Sequence, residues 1–414
     1  MTVTVLSFLL ITMSMSIGLK ADTTETFSSF IQKQRIQNAQ YWQSEKKKFY
    51  RYAFETQNKS TQSKQEFQSW QSRQKFAIKA FEDSMLRIWG HYVQPTPSRW
   101  VEFSPDGYSV AQVDYKAKKV TVEATGRSDE SAKEMRSRLK KAISRIITSK
   151  GFGTLVPVAG KDSLHTIMKS PILFPILTDS IGRHLISQNQ IDRFSSEKVS
   201  KADTISSVVN GKVQKVFRVE FGIATESDYH MMKPFLPIVE KYARRYDLDV
   251  SLILATMHAE SNFNPMARSR SNAIGLMQLV PDGGALDAYK YLYGKDRIPT
   301  VAALLDPETN IHLGCVYLFL LHRYHFGKIK DSLSVTYCSI AGYNTGPGNV
   351  AKAFSGTFHL PKAIIAINKM QGADKVFDFL TVNLPYRETR IYLQKVVSFM
   401  PYYSSKQLAQ LQKK

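Results

Sequence analysis

Apolar residues recur along this chain with two different periods, and the change from one to the other divides it. Between Trp100 and Thr125 the alternation is every second residue. SVAQVDY and KVTVEAT stand on either side of a Lys-Ala-Lys turn, which predicts a hairpin or small sheet. Ahead of it, FAIKAFEDSMLRIWG carries Phe76, Ile78, Phe81, Met85 and Ile88 at helical spacing, a stripe that predicts a helix packed on that sheet. Behind it, SDESAKEMRSRLKKAISRIITS predicts a second helix, with Ser128 as N-cap and Asp129 and Glu130 in the first turn. Together with a polar, Gln- and Lys-rich helical stretch before Gln74, these elements predict an α+β module over residues 22–159.

Periodicity then weakens. Gly160, Pro171 and Pro175 interrupt the chain, so residues 160–225 read as a linker or insertion, closed by one more strand in KVQKVFRVEFGI. From Asp228 onward the apolar spacing is three to four in FLPIVEKYARRYDLD, SLILATMHAES, ALDAYKYLYG, PETNIHLGCVYLFLLHRYHF and SLSVTYCSIAGYN. Pro307, directly after Asp306, marks a helix start. The fold class predicted is therefore an α+β N-terminal module followed by an all-α domain over residues 226–414.

Length and composition fit that division: 414 residues, 43% of them apolar, are enough for two ordinary cores. The first stretch changes the picture further. Thr2 to Leu19 holds no charged residue and gives way to Lys20, Ala21 and polar sequence from Asp22, so residues 1–21 predict an export signal, either cleaved after Ala21 or retained as an anchor. That segment has no cysteine to take a lipid. The two cysteines of the chain, Cys315 and Cys338, lie in its apolar C-terminal half, and two buried thiols or one bridge both remain open.

There are 56 Lys and Arg against 35 Asp and Glu, a net charge of +21, which concentrates negatively charged partners such as nucleic acid, anionic lipid or acidic wall polymers. No zinc-finger spacing, RNA-recognition signature or glycine-rich phosphate loop accompanies the charge, so nucleic acid is not the expected partner. Neither the nine histidines nor the cysteines have metal-ligand spacing, and no cofactor or metal is implied.

The candidate chemistry lies in DVSLILATMHAES. Ile253, Thr256 and Met257 stand seven, four and three residues before Glu260 and share its helix face. A carboxyl ending such a stripe faces an interior or cleft, where desolvation disfavours its charged form and suits it to general acid catalysis. Alone, a glutamate of this kind is more simply a structural carboxylate. His258, two residues earlier, projects to a different face. Downstream, ESNFNPMARSRSNAIGLMQLVP has Asn264 and Pro265 to end the helix and Gly275 to turn the chain before Leu276, Met277 and Gln278. AGYNTGPGNV then places Tyr343 and Asn344 before a Gly-Pro-Gly turn, and LPYRETRIYLQKV places Glu388 in the first turn of a last helix that also carries Tyr392.

These four motifs, in this order from about Pro234 to Phe399, resemble lytic transglycosylases with a soluble-transglycosylase-type, goose-lysozyme-like catalytic domain. The LRIWG run and the strand-rich module before that domain look like the membrane-bound lytic murein transglycosylase C group. Those relatives are typically lipoproteins, from which this chain departs in lacking a lipobox cysteine. It also has Gly342 where the family often has alanine, a small-for-small change. The resemblance implies an all-α lysozyme-like catalytic domain acting on peptidoglycan glycan strands in the periplasm or cell envelope of a Gram-negative bacterium, with peripheral or N-terminal membrane association and other envelope proteins as further partners. Glu260 would be the single general acid and base, forming 1,6-anhydro-N-acetylmuramic acid without hydrolysis. Ser269 and Gln278 would hydrogen-bond the sugar, Tyr343 would orient Glu260 or the substrate, and Glu388 would bind a hydroxyl or the peptide stem. For Met277 the choice is between core and groove wall, for Asn344 between turn and glycan, and for Tyr392 between packing and ligand contact. A lysozyme-type hydrolase on the same fold and a non-catalytic wall-binding scaffold are the alternative functions.

Overall fold

The computed structural model describes residues 60–127, 130–151, 171–174, 176–179, 182–223, 228–295 and 297–411. The export-signal segment lies outside them. Among the described residues no helix is long and apolar enough to cross a membrane.

The strand-rich half is built on one antiparallel sheet. Helix α1 (Ser60–Trp89) leads into β1 (Arg99–Phe103), β2 (Ser109–Asp114) and β3 (Lys119–Thr125); helices α2 (Ala132–Thr148) and α3 (Gln188–Ser200) follow, then β4 (Asp203–Val209) and β5 (Lys212–Gly222). The sheet order is β1-β2-β3-β5-β4. The predicted hairpin is the β2–β3 pair, in register from Ser109 opposite Ala124 to Asp114 opposite Lys119.

Because side chains alternate across a strand, each face of the sheet takes its own helix. Val101, Phe103, Val110 and Val216 cluster with Met85 and Trp89 of α1, with Phe81 and Ile88 beside them. Trp89 Nε1 adds a 2.8 Å bond to the Gly107 carbonyl, fixing the end of α1 on the β1–β2 turn. Of the apolar stripe predicted for α1, Phe76 is exposed and Ile78 only half-buried. On the opposite face α2 buries Met135, Leu139, Ile143, Ile146 and Ile147, and its Arg145 reaches Ser109 Oγ on β2 at 3.0 Å. Phe194 of α3 meets Phe221 of β5 edge-on.

Two local expectations are corrected here. Helix α2 starts later than its acidic run suggests. Ser131, not Ser128, is its N-cap, in a capping box with Glu134. Glu130 stands before the cap, where it pairs with Arg138 and accepts from the Arg127 N–H. More substantially, residues 188–209 are not a linker, while the closing strand expected in KVQKVFRVEFGI is β5. Helix α3 and strand β4 were hidden by polar solvent-facing positions, and β5 inserts between β3 and β4, in register from Lys119 opposite Gly222 to Thr125 opposite Val216. The strand nearest the helical half is thus interior to the sheet, and residues 59–414 form one unit.

The rest is helical, as expected. In chain order come α4 (Leu236–Tyr246), α5 (Val250–Ser261), α6 (Gly284–Tyr293), α7 (Pro307–Phe319), α8 (Ser332–Thr345) and, after three further helices, α9 (Arg387–Phe399). Helix α7 opens with Asp306 as N-cap and Pro307 in its first turn. Helix α5 is the buried axis: Leu252, Ile253, Leu254, Ala255 and Met257 are all essentially inaccessible. It stops at Ser261, before the predicted Asn264-Pro265 break, because Asn262 turns left-handed (φ 52°) and its N–H closes on the His258 carbonyl. Both cysteines are unbonded and buried, and burial pushes both thiols up.

The two halves meet at the loop that leaves α5. Asn264 Nδ2 donates to the Pro97 carbonyl at 3.0 Å, and the Gly151 backbone (φ +103°) lies against the Met266 sulfur.

Replacing Ser131 with Ala removes one partner of the capping box and is expected to cost about 1 kcal/mol. Urea unfolding followed by circular dichroism measures it; an unchanged midpoint would mean that another residue caps α2.

Candidate active site

Glu260 occupies the last turn of α5, and the helix around it explains its position. Thr256 Oγ1 bonds back to the Leu252 carbonyl at 2.8 Å and Ser261 Oγ to the Met257 carbonyl at 3.1 Å, so the polar residues near Glu260 are satisfied within the helix. The Ser261 hydroxyl also lies 2.8 Å from the Leu276 carbonyl. Ser261, next to Glu260 in the chain, is therefore a fastener between α5 and the Gly-Leu-Met-Gln segment.

That segment, residues 274–278, is a strap held at its backbone by three helices. Besides Ser261 of α5, Asn310 of α7 donates to the Ile274 and Leu304 carbonyls at 2.9 and 2.7 Å and accepts the Met277 N–H at 2.8 Å. Tyr343 of α8 donates to the Met277 carbonyl at 2.8 Å. Each bond contributes on the order of 1 kcal/mol net, but losing one strands a buried polar group at a cost of about 1–3 kcal/mol. Gly275 is required at the bend: φ is +78°, and a Cβ there would collide with the Leu304 carbonyl and the Asn310 amide.

The side chains predicted for the site divide into two groups. Those gathered electrostatically around Glu260 are Tyr343, Tyr392 and Glu388. Burial is the main cause that raises the Glu260 carboxyl to about 8; the Tyr392 phenol and the Lys395 ammonium hold it down, and exposed Glu388 pushes it further up. By accessible surface Glu260 itself is half-buried, so the acid is crowded by protein yet still reachable. The Tyr392 hydroxyl faces Glu260 but closes no hydrogen bond of standard geometry, and Gln278 Oε1 is likewise buried and unpartnered. Gln278 donates to the Gly275 carbonyl from both its Nε2, at 3.0 Å, and its backbone N–H, at 3.1 Å, and adopts a left-handed φ of 45° that is uncommon for a residue with a side chain.

The second group is committed elsewhere. Met277 is fully buried and packs against Gly314, so it is core and not groove wall. Asn344 Oδ1 accepts from Thr389 Oγ1 at 2.7 Å, joining α8 to α9. The Ser269 hydroxyl lies 2.9 Å from that of Ser271 and accepts the Ala273 N–H at 2.9 Å, shaping the loop before the strap. His258 stacks on Phe399 (3.9 Å between centroids) and bonds Tyr403. At Gly342 an added Cβ would lie 2.9 Å from Phe326, so the swap with alanine is not free of cost. A separate cavity of about 470 Å³, lined by Tyr242, Tyr289, Tyr293 and His312 among others, shares no residue with the Glu260 group.

Asn310 and Lys395 are participants that the sequence pattern did not single out, and Ser261 stood in a motif without a role. Asn310 had a usable signal, a lone amide inside an otherwise apolar helix face. Ser261 and Lys395 had weaker ones: adjacency to Glu260 for the first, and for the second a position three residues after Tyr392 on the same helix.

The buried acid, the strap and the helices that hold it define the class: residues 237–365 match the model of the Transglycosylase SLT domain. Among the proteins this chain is similar to, a membrane-bound lytic murein transglycosylase C of Yersinia pestis is 30% identical over 324 residues, covering 77% of this chain and 86% of the relative. The corresponding protein of Actinobacillus succinogenes is 29% identical over 318 residues, 76% of this chain and 85% of its own. An inactive mutant of the lytic transglycosylase Slt from Pseudomonas aeruginosa aligns at 29% identity and a TM-score of 0.33, over 43% of this chain and only 25% of that one. The chain belongs to the membrane-bound lytic murein transglycosylase C family, and it is an enzyme, a peptidoglycan lytic transglycosylase.

Two outcomes follow from this geometry. Gly275→Ala is expected to lose at least about 2 kcal/mol of stability through strain and displacement of Asn310, read as a lowered denaturation midpoint; a neutral result would mean that the strap is slack. Glu260→Gln tests the dry acid through its linkage to folding. Because the folded pKa (about 8) exceeds that of a free glutamate (4.5), the native state holds its proton across that interval, and the wild type loses stability as pH rises from about 4.5 to 8. The amide has no such titration. The difference in Tm should therefore shift toward the variant by a few degrees between pH 4.5 and 8.5, and a difference flat with pH would contradict it.

Proposed function

We propose that this enzyme cleaves the β-1,4 bond between N-acetylmuramic acid and N-acetylglucosamine without hydrolysis, using Glu260 as its only acid and base. The carrying observation is the half-buried carboxyl whose surroundings raise it to about 8, so that it holds a proton at neutral pH and gives it to the glycosidic oxygen as the bond breaks. The carboxylate left behind then takes the proton of the muramic acid C6 hydroxyl. That oxygen bonds to the anomeric carbon and closes the 1,6-anhydro ring, so no water is consumed. An attacking hydroxyl already on the sugar has a high effective concentration, which favours this route.

Two-carboxylate glycosidases place a second acid beside the bond; here the carboxylate facing Glu260 is Glu388, exposed in the first turn of α9 and suited to a sugar hydroxyl or the peptide stem. The unpartnered Gln278 Oε1 is a buried polar atom that a substrate amide or hydroxyl would satisfy, and the Tyr392 hydroxyl faces Glu260 at the same place. The strained φ of Gln278 fits the same role. Tyr343 acts through the strap, whose Met277 carbonyl it holds. Ser269 acts, in this reading, by shaping the neighbouring loop as well as by facing sugar. The enzyme works on glycan strands in the Gram-negative envelope, and residues 60–223, packed beside the catalytic loop, help to position it on the wall or on another envelope protein.

Glu260→Gln should reduce release of soluble fragments from purified sacculi at least about 100-fold. Mass spectrometry of the wild-type digest should show anhydromuropeptides; reducing-end muramic acid would indicate a hydrolase, and binding without fragment release would indicate a scaffold. Since the protonated acid is the active form of the free enzyme, kcat/KM should fall as pH rises through about 8.

A further inference from the structure

Helix α9 carries Glu388, Tyr392 and Lys395 at successive turns, and all three bear on Glu260. The third has no role in the mechanism above. Lys395 Nζ donates to the carbonyl of Ala259 at 2.7 Å. Ala259 directly precedes Glu260, and its carbonyl is among the last four of α5, which have no helical N–H to accept. The neighbouring ends are closed differently: the His258 carbonyl accepts the Asn262 N–H at 3.1 Å and the Ser261 carbonyl the Asn264 N–H at 3.0 Å. A cation at the C-terminal end of a helix also meets the negative end of its dipole.

The ammonium is not a surface charge that happened to land there. Lys395 is half-buried, with its ammonium nitrogen over the Phe399 ring, 5.7 Å from the centroid. Burial lowers its pKa, Glu260 raises it, and Lys116, on the turn between β2 and β3, lowers it again. A lysine with a partner carboxylate at hand therefore spends its hydrogen bond on the backbone of the catalytic helix while its charge remains beside the catalytic oxygen pair.

We propose that Lys395 is a positioning residue for the reaction: it pins the end of α5 that aims Glu260, and its charge stabilises the carboxylate that exists between giving the proton to the glycosidic oxygen and taking the C6 hydroxyl proton. This rests on Glu260 being the acid and base. No proton passes to or from the lysine; it keeps its charge throughout, and Glu260 alone cycles between acid and carboxylate. The groups facing Glu260 are Tyr392, Lys395 and Glu388 from α9 and Tyr343 from α8, so the lysine is the positive charge opposing Glu388 there. Burial raises the Glu260 carboxyl, and Tyr392 first and the Lys395 ammonium second draw it back down.

The test compares Lys395→Met, which removes charge and donor, Lys395→Gln, which keeps a donor without charge, and Lys395→Arg, which keeps both. Sacculus digestion is measured as kcat and KM across pH. The proposal expects kcat of the Met and Gln variants to fall about tenfold or more with KM little changed, the alkaline limb of their pH profiles to move up, and Arg to restore both. If Met fails to fold, Gln supplies the reading. Variants with lowered Tm but an unmoved pH limb and kcat would overturn it, leaving a structural clamp. An active Glu260→Gln enzyme would instead sink the acid-base assignment itself, and an inactive one beside unaffected Lys395 variants would sink only this proposal.

Discussion

The structure depends on keeping one carboxyl out of water without closing it off from substrate. An isolated glutamate in an apolar interior would be costly in its charged form and would simply take up a proton. Here it sits at the end of a deeply buried helix, so the same packing that stabilises the fold supplies the desolvation that raises its pKa. Tyr392 and Lys395 limit that effect, and Glu388 opposes them. The protonation state of Glu260 is thus the resultant of one large burial effect and a few directed polar contacts.

Precision comes from the backbone ties around it. Ser261, Asn310 and Tyr343, from three helices, hold the strap that carries Gln278. Such ties contribute little net stability individually, yet they set a geometry that apolar packing alone leaves loose. They also give the tyrosine and the serine of the motifs a place, each bonded to a strap carbonyl. The N-terminal sheet module enters the same arrangement: it bonds the loop after Glu260 through Pro97 and Asn264, and its Lys116 approaches Lys395.

Much of this was legible in the sequence where one periodicity ran unbroken. The β2–β3 hairpin, the helical domain and Glu260 at the end of an apolar stripe all followed from spacing. What was missed had physical reasons. Strand β4 is the sheet edge and largely solvent-facing, so its alternation is weak, and α3 presents a mostly polar surface around Ile191 and Phe194. Ser128 looked like a cap because acidic residues followed it, but the reciprocal Ser131–Glu134 pair decided the start. Met277 and Asn344 were ambiguous because chain position does not reveal whether a side chain turns inward; Gly314 made room for the first and Thr389 engaged the second.

The central claim, that the fold holds Glu260 as a protonated acid near neutral pH, is tested most directly by following its carboxyl carbon. A ¹³C NMR titration of carboxyl-labelled protein, with Glu260→Gln used to assign the resonance, should show the Glu260 signal titrating near pH 8. A midpoint near 4.5, as for an exposed glutamate, would contradict the account.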